Sequence, residues 1–278
     1  MGFIIGLDVG GSTTKIVSMA DGKILAKTVV KATDPVTSAF GAVGKLINDN
    51  SLRLEDIERI NITGVGSSFS GGSILGIRTV LIEEFDATGL GGLFLSGLDH
   101  AVVVSMGTGT AYLDATKDCI KHVIGSGVGG GTIVGLCNSI LGMDDALKLS
   151  DMADHGDLNA VDLTIGDITK ADIPGLPSSA TASNFGKAAD DLSREDKAAG
   201  IFNLVFQSIG TMSVLSSRIA GIKDIVFTGQ LAEFKQCGQV LDTFTDLYHV
   251  NFIVPDDAVF GTAIGACLAG LAGMEKKR

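Results

Sequence analysis

The chain has 278 residues, 45% of them hydrophobic and 19% charged, with a mean hydropathy of +0.38. That composition excludes disorder and supplies apolar material for one or two packed cores. A formal net charge of −11 opposes duplex nucleic acid, whose binding needs phosphate neutralisation, but leaves room for a small anion held by local backbone dipoles. Glycine is abundant, 38 residues against 4 prolines, with no collagen period. Such an excess belongs where backbone turns tightly or approaches a ligand. Cys119, Cys137, Cys237 and Cys267 match no metal or C-x-x-C spacing and read as free thiols. No basic region followed by a long apolar stretch opens the chain, and the weakly polar stretch 125–142 is broken by glycines, Asn138 and Ser139. No membrane span and a soluble cytoplasmic protein are therefore expected.

Residues 3–7 (FIIGL) predict a buried strand, followed by a glycine- and hydroxyl-rich turn over 8–14. Strands at 15–19 and 23–30 flank an Asp21-Gly22 hairpin turn. Pro35 opens a helix that runs to about Asn48, with Val36, Phe40, Val43 and Ile47 at helical spacing. A strand at 57–63, a glycine-serine loop at 64–72, a short strand at 80–82 leading into Glu83 and Glu84, and a helix at 85–98 complete the first half. In the second half, 101–105 (AVVVS) is a buried strand and 106–110 (MGTGT) a second glycine-hydroxyl turn. Strands at 111–115 and 119–124, a third glycine loop at 125–131 and a helix at 132–141 follow. Residues 144–154 read as helical and 172–183 as loop. A long helix at 194–220 carries Ile201, Leu204, Val205, Ile209 and Met212 on its buried face. A strand at 224–228 and a small-residue helix at 261–272 end the chain. Strand, glycine turn, strand, strand, helix thus occurs twice, from Phe3 and from Ala101, as a repeat of pattern alone. The expectation is an α/β fold of two lobes, 1–98 and 99–278, whose glycine turns face each other across a ligand.

The turn Asp8-Val9-Gly10-Gly11-Ser12-Thr13-Thr14-Lys15 suits phosphate. Its glycines let successive N–H groups converge on an anion, and Ser12, Thr13 and Thr14 add hydroxyl donors. Lys15 adds a mobile positive charge, and Asp8 at the strand end can hold Mg²⁺ through water. The spacing is neither that of a P-loop nor that of a dinucleotide site, and alone a plain hairpin turn would explain it. A second such turn, Met106-Gly107-Thr108-Gly109-Thr110, makes accident harder to sustain. The 125–131 loop opens a helix whose N-terminus favours anions. Gly229 and Gln230 follow a late strand, where a nucleoside can rest.

The DVGGSTTK and SMGTGT turns and the paired α/β halves resemble the acetate and sugar kinase, heat-shock ATPase and actin superfamily. Within it, residues 82–87 (IEEFDA), 151–157 (DMADHGD), 181–186 (TASNFG) and 261–266 (GTAIGA) are similar to segments of type II pantothenate kinases. The resemblance runs in order from residue 4 to about 270. It implies two ribonuclease H-like lobes of duplicated βββαβα pattern around a nucleotide cleft, the actin-like ATPase fold. It further implies ATP-dependent phosphorylation of the pantothenate hydroxyl, the first step of coenzyme A synthesis, with Mg²⁺ and a homodimer. On that resemblance Asp8, Val9, Gly10, Gly11, Ser12, Thr13, Thr14 and Lys15 carry the ATP phosphates. Thr108, Gly130, Gly131 and Thr132 support them, and Gly229 and Gln230 lie by the nucleoside. Glu84 is the catalytic base, and Glu84, Thr108, Thr110 and His122 meet the acceptor.

Phosphoryl transfer requires positioning, charge neutralisation and removal of the hydroxyl proton. Glu83 and Glu84 would point to opposite faces of an extended chain, so only one enters the cleft; Glu84 is assigned from its place before Phe85-Asp86-Ala87. Asp86 reads as a helix-capping residue and His155 as a structural residue at a helix end. His122 stands where the family usually has an arginine before the third glycine loop. Histidine offers one donor and no permanent charge where arginine grips a carboxylate with two bonds. Two alternatives therefore stay open: a kinase of this fold for another small alcohol or hydroxy acid, and a non-catalytic nucleotide-binding regulator. The expected partner is a small molecule, with no nucleic acid and no membrane.

Overall fold

Each of two sheets begins on an apolar strand that lies at its centre. The computed structural model describes residues 2–31, 34–64, 66–67 and 73–271. The first sheet comprises β1 (Phe3–Val9), β2 (Thr13–Ala20), β3 (Lys23–Lys31), β4 (Ile57–Thr63), β5 (Ser73–Ile74) and β6 (Ile77–Leu81), in the order β3-β2-β1-β4-β6-β5. Every residue of β1 is buried, as the unbroken run FIIGLDV requires of a strand covered on both faces. Helices α1 (Pro35–Asp49) and α2 (Glu84–Ser96) belong to the same half of the chain. β7 (His100–Met106), β8 (Thr110–Thr116) and β9 (Ile120–Ser126) then start the second sheet.

Helices α3 (Gly130–Leu141), α4 (Ala146–Ala153), α5 (Leu158–Val161) and α6 (Ile165–Ile168) follow, with β10 (Leu163–Thr164) and β11 (Thr181–Ser183) forming a small ribbon. After α7 (Arg194–Ala220), β12 (Asp224–Thr228), α8 (Lys235–Tyr248), β13 (Asn251–Ile253) and α9 (Gly261–Leu271), the second sheet has the order β13-β12-β7-β8-β9. The sheets share one topology of three antiparallel strands, then two more added in parallel to the first of them, and the first sheet carries β5 as an additional antiparallel edge strand.

Strand pairing extends further into the turns than the sequence suggests. Asp8 pairs with Lys15 and Val9 with Thr14, so the first bend is confined to residues 10–12 rather than 8–14. The Asp21-Gly22 hairpin holds both residues at positive φ, 49° and 72°, the mirror-image turn that matches strand twist. In α1, Asp34 caps by accepting from the Thr37 N–H at 2.8 Å, and Pro35 occupies the first turn. Its buried face is Ala39, Ala42, Val43 and Leu46, whereas Val36 and Phe40 are 43% and 38% exposed. The small alanines let the helix lie close on the sheet, which turns the larger side chains to its edge. Of the 64–72 loop only Gly64, Gly66 and Ser67 lie among the described residues.

Helix α7 is long and apolar enough to cross a membrane by length and composition, but 67% of that window is buried within the fold. Ser193 and Asp196 form its capping box, and Ile201, Val205 and Ile209 pack in the second core. Helix α8 and strand β13 have no counterpart in the sequence reading.

The chain crosses between lobes twice. Helix α2, which follows the first sheet, packs on β7, β8, β9 and β12, while α9 packs on β1, β2 and β4. The two helices also pack on each other along a seam of small residues. A Cβ at Gly91 would lie 1.8 Å from the Gly261 carbonyl oxygen, and one at Gly265 only 1.6 Å from that of Ala87. On its other side α9 abuts β1, where a Cβ at Gly6 would lie 1.9 Å from the Ala263 carbonyl oxygen. Asn61 of β4 donates its Nδ2 to the Ala266 carbonyl at 2.8 Å. The small-residue composition of α9 is thus a packing requirement on two faces.

Candidate active site

The antiparallel register of β1 and β2 places Asp8 opposite Lys15, with Nζ 3.6 Å from Oδ2 and both side chains 13% exposed. Burial pushes the Asp8 carboxyl up from its ordinary value, and the Lys15 ammonium opposes that rise. The bend beyond them closes through the Gly10 N–H, which donates to the Thr13 carbonyl at 3.2 Å. In the second lobe the Gly107 N–H donates to the Gly109 carbonyl at 2.9 Å. The two bends face each other: a Cβ at Gly11 would have Thr108 Oγ1 as its nearest neighbour, at 4.0 Å.

The start of α3 buttresses the second bend. The Gly130 N–H donates to the Gly107 carbonyl and the Gly131 N–H to that of Thr108, both at 2.9 Å, while the Thr132 and Ile133 N–H groups bond Gly129. These first-turn donors are therefore engaged within the protein and not open to a phosphate; what remains for an anion is the field of the helix. Close approach forces glycine here, since a Cβ at Gly129 would stand 2.6 Å from the Thr108 carbonyl oxygen. The Thr132 hydroxyl donates to the Gly127 carbonyl and accepts from the Gly129 N–H, both at 3.1 Å. It serves as a cap, and its side chain does not line the cleft.

Glu84 is the first residue of α2, one step beyond the cap position held by Glu83, rather than the end of a strand. Burial raises its carboxyl first, the Asp8 charge raises it further, and Lys15 opposes both. Glu84, Asp8 and Lys15 thus form one electrostatic unit beside the first bend. Asp86 lies in the first turn of α2, its carboxyl raised by burial and by Glu83. His155, at the end of α4, bonds through Nδ1 to the Asp151 carbonyl at 2.8 Å, a structural contact.

Asp8, Lys15 and Glu84 line a cleft of about 680 Å³ together with Gly10, Gly11, Ser12, Thr13, Thr108, Thr110, Gly130, Gly131, Gly229 and Gln230. Thr110 is buried and donates its hydroxyl to the Val128 carbonyl at 2.8 Å, leaving it only an acceptor for a ligand. Gly229 sits at φ +93° beside the second bend, where a Cβ would stand 2.4 Å from the Met106 carbonyl oxygen. Ile133, Val134, Ala146, Leu231 and Phe234 add apolar wall that the sequence reading missed. No polar pattern marks them; only Leu231 and Phe234, close behind Gly229 and Gln230, carried a signal of position.

Three other expected residues lie elsewhere. Val9 and Thr14 pair across β1 and β2 and are fully buried, Val9 in the first core, because alternation sends Val9 opposite to Asp8. The His122 side chain is solvent-exposed on β9 and does not line the cleft. Its ring lies flat on Phe85, centroids 4.5 Å apart and planes within 2°, so it stands beside the residue that follows Glu84. A bulge that pairs Leu113 with His122 but Tyr112 with Ile124 sets this placement.

Two copies of one βββαβα pattern, closed on a cleft by opposed glycine bends and joined by a crossed helix pair, make this an actin-like ATPase fold. The chain is similar to the activator of the 2-hydroxyisocaproyl-CoA dehydratase from Clostridium difficile with bound ADPNP (TM-score 0.69, 18% identity, 98% of this chain and 95% of that one). It is similar also to a ROK family glucokinase from Streptomyces griseus in complex with glucose and AMPPNP (TM-score 0.60, 12% identity, 96% and 98%). Residues 100–251, more than half the chain, match the Fumble family, and the chain belongs to that family. It is 29% identical to a type II pantothenate kinase of Staphylococcus aureus strain MRSA252 over 96% of this chain and 99% of the relative. The strain USA300 enzyme of the same name is likewise 29% identical, over 94% and 97%.

Proposed function

We propose that the protein transfers the γ-phosphoryl group of ATP to the hydroxyl of pantothenate, giving 4′-phosphopantothenate at the entry to coenzyme A synthesis. The observation that carries the reading is the facing pair of glycine bends with Glu84, Asp8 and Lys15 beside one of them. The acceptor is inferred from the near full-length similarity to type II pantothenate kinases.

In this reading the N–H groups of Gly11 and Ser12 and the hydroxyls of Ser12, Thr13 and Thr108 bind the phosphates, and Lys15 adds positive charge. Gly229, Gln230, Leu231 and Phe234 receive the nucleoside. Glu84 accepts the proton of the acceptor hydroxyl as its oxygen bonds to the γ-phosphorus and the bond to ADP breaks. A carboxyl raised by burial is the better base for that step. Asp8 and Glu84 place two carboxylates against one ammonium, an excess of negative charge that fits a divalent cation. Asp8 would hold Mg²⁺ through water, and the ion when bound neutralises charge on the phosphates. Val9, Thr14 and Thr132 act through the backbone they shape, and Thr110 through its lone pairs.

The lobes divide near residues 98 and 99, with α9 returning to cover the first sheet. A homodimer is supported by exposed apolar side chains on the second lobe, including Ile140, Leu147 and Ile219. A reducing, cytoplasmic setting is supported by four free cysteines, three of them buried, with the thiols of Cys137, Cys237 and Cys267 pushed up by burial to about 11, 12 and 12.

His122, standing where the family usually has an arginine, motivates a second reading, another small alcohol or hydroxy acid as the acceptor. Phosphate transfer from ATP, followed by ADP release across pantothenate, pantothenol and simple hydroxy acids, separates the two. Pantothenate is expected to be phosphorylated, and His122→Ala is expected to leave its KM nearly unchanged, because the His122 side chain does not line the cleft. Turnover of hydroxy acids without pantothenate would overturn the first reading.

A further inference from the structure

Residues 261–266 (GTAIGA) open α9, where the glycines and alanines answer to close packing and Thr262 does not. Thr262 is the only hydroxyl-bearing residue of α9. It is half-buried and lines the cleft with Asp8, Lys15 and Glu84. Its Oγ1 lies 3.0 Å from Oγ1 of Thr88, which is 2% exposed. Thr88 stands one helical turn beyond Glu84, on the same face of α2. Neither hydroxyl bonds any other described residue.

Burial settles the direction of this bond. A hydroxyl carries one proton and two acceptor lone pairs. If Thr262 donated, the Thr88 proton would be shut away from water without an acceptor, a costly orphan. Thr88 therefore donates and Thr262 accepts. The Thr262 proton is then left over, on a side chain at the cleft wall, with no protein group to take it.

The surroundings say what takes it. Asp8 and Glu84 already outnumber Lys15 at this end of the cleft. A neutral donor adds no further negative charge, and its bond to an ionised oxygen is about twice as strong as one between neutral groups. We infer that the Thr262 hydroxyl donates to an oxygen of the γ-phosphoryl group and holds that group in line for attack beside Glu84. Thr262 keeps its proton throughout, and Glu84 takes that of the acceptor hydroxyl. The inference rests on the phosphoryl-transfer reading above and adds to it a catalytic residue from the second crossing helix. Thr88 is the positioning residue, because the bond it donates fixes the Thr262 oxygen. The close approach of the helices at Gly91 and Gly265 brings the two hydroxyls within reach. Base and phosphoryl donor thus share one seam, Glu84 on α2 and Thr262 on α9.

Thr262→Val keeps the shape of the side chain and removes the donor. With ATP, Mg²⁺ and pantothenate its kcat is expected to fall by about 10²-fold, the effect of a misplaced reacting group, with AMPPNP affinity within about threefold of wild type. Thr262→Ser keeps the donor and should hold kcat near the wild-type value. Thr88→Val should lower kcat only a few-fold, since Thr262 retains its proton. Thr262→Val also orphans the Thr88 hydroxyl and should lower the melting temperature. Combining it with Thr88→Val removes the orphan and should recover the melting temperature without recovering kcat. Phosphorus NMR of bound AMPPNP reads the contact without an acceptor: the γ-phosphate resonance should move in Thr262→Val and stay in Thr262→Ser. Near-wild-type kcat in Thr262→Val, an equal loss in Thr88→Val, or recovery of kcat in the double variant would reduce the pair to a structural tie and overturn the proposal. If the wild type binds AMPPNP but phosphorylates no pantothenate, the acceptor reading fails alone. The γ-phosphate resonance then decides Thr262, and an unmoved resonance overturns it. If AMPPNP does not bind, the nucleotide reading fails and the proposal with it.

Discussion

Replacing Glu84 with Gln is expected to lower kcat by about 10²–10⁴-fold, the usual contribution of a general base, with nucleotide affinity nearly unchanged. The amide keeps the shape of the side chain and loses only the capacity to take a proton. The pH profile makes the assignment specific. Glu84 is inactive as a base when protonated, so activity rises with pH through its pKa. Because burial and the Asp8 charge raise that pKa, the acid limb should lie above the ordinary glutamate value. Lys15→Met removes the positive charge that opposes the rise and should move the limb further toward neutral. Asp8→Asn should move it the other way in whatever activity remains. A Glu84→Gln enzyme with wild-type kcat, or a limb indifferent to both charges, would take Glu84 out of the chemistry.

Gly265→Ala should destabilise the protein by about 3 kcal/mol, the upper part of the usual overpacking range. Its Cβ would meet the backbone of α2, 1.6 Å from the Ala87 carbonyl oxygen and 2.7 Å from the Gly91 nitrogen, so no flexible side chain can yield. The sign is the test, because Gly→Ala within an exposed helix ordinarily stabilises by roughly 1 kcal/mol. Gly44→Ala in α1, where nothing lies within 4 Å of the added carbon, supplies that control and should stabilise. Urea denaturation of the two variants measures both effects. Equal behaviour would mean that α2 and α9 do not cross as closely as described.

The repeat of pattern and the two glycine turns were legible because each rests on local chemistry. FIIGL and AVVVS are short apolar runs consistent with buried strands, and Gly10, Gly11, Gly107 and Gly109 mark bends beside them. The boundaries of those bends were less legible, since Asp8-Lys15 and Val9-Thr14 are strand pairs set by register and not by residue type. Alternation along β1 then sends Val9 to the core, which a motif read as a unit conceals. Of the four apolar residues at helical spacing in α1, Val43 and Ile47 pack on the first core while Val36 and Phe40 stay exposed, because the sheet also takes Ala39, Ala42 and Leu46 from the same helix. Nothing in the sequence marks the seam at Gly91 and Gly265 as a contact between lobes, because its partners are 170 or more residues apart. The same holds for the α3 start, where only the folded chain engages the Gly130 and Gly131 N–H groups with the second bend. The stack of His122 on Phe85 depends on a bulge that no spacing rule announces.

The central claim is that a nucleotide's phosphates lie between the two glycine bends. Titration calorimetry with AMPPNP and Mg²⁺ on the wild type and on Gly11→Val tests it most directly, because a valine at residue 11 projects into the gap toward Thr108. The expected result is one nucleotide bound per chain and no detectable binding by the variant at an unchanged melting temperature. Equal binding by both proteins, or none by the wild type, would contradict it.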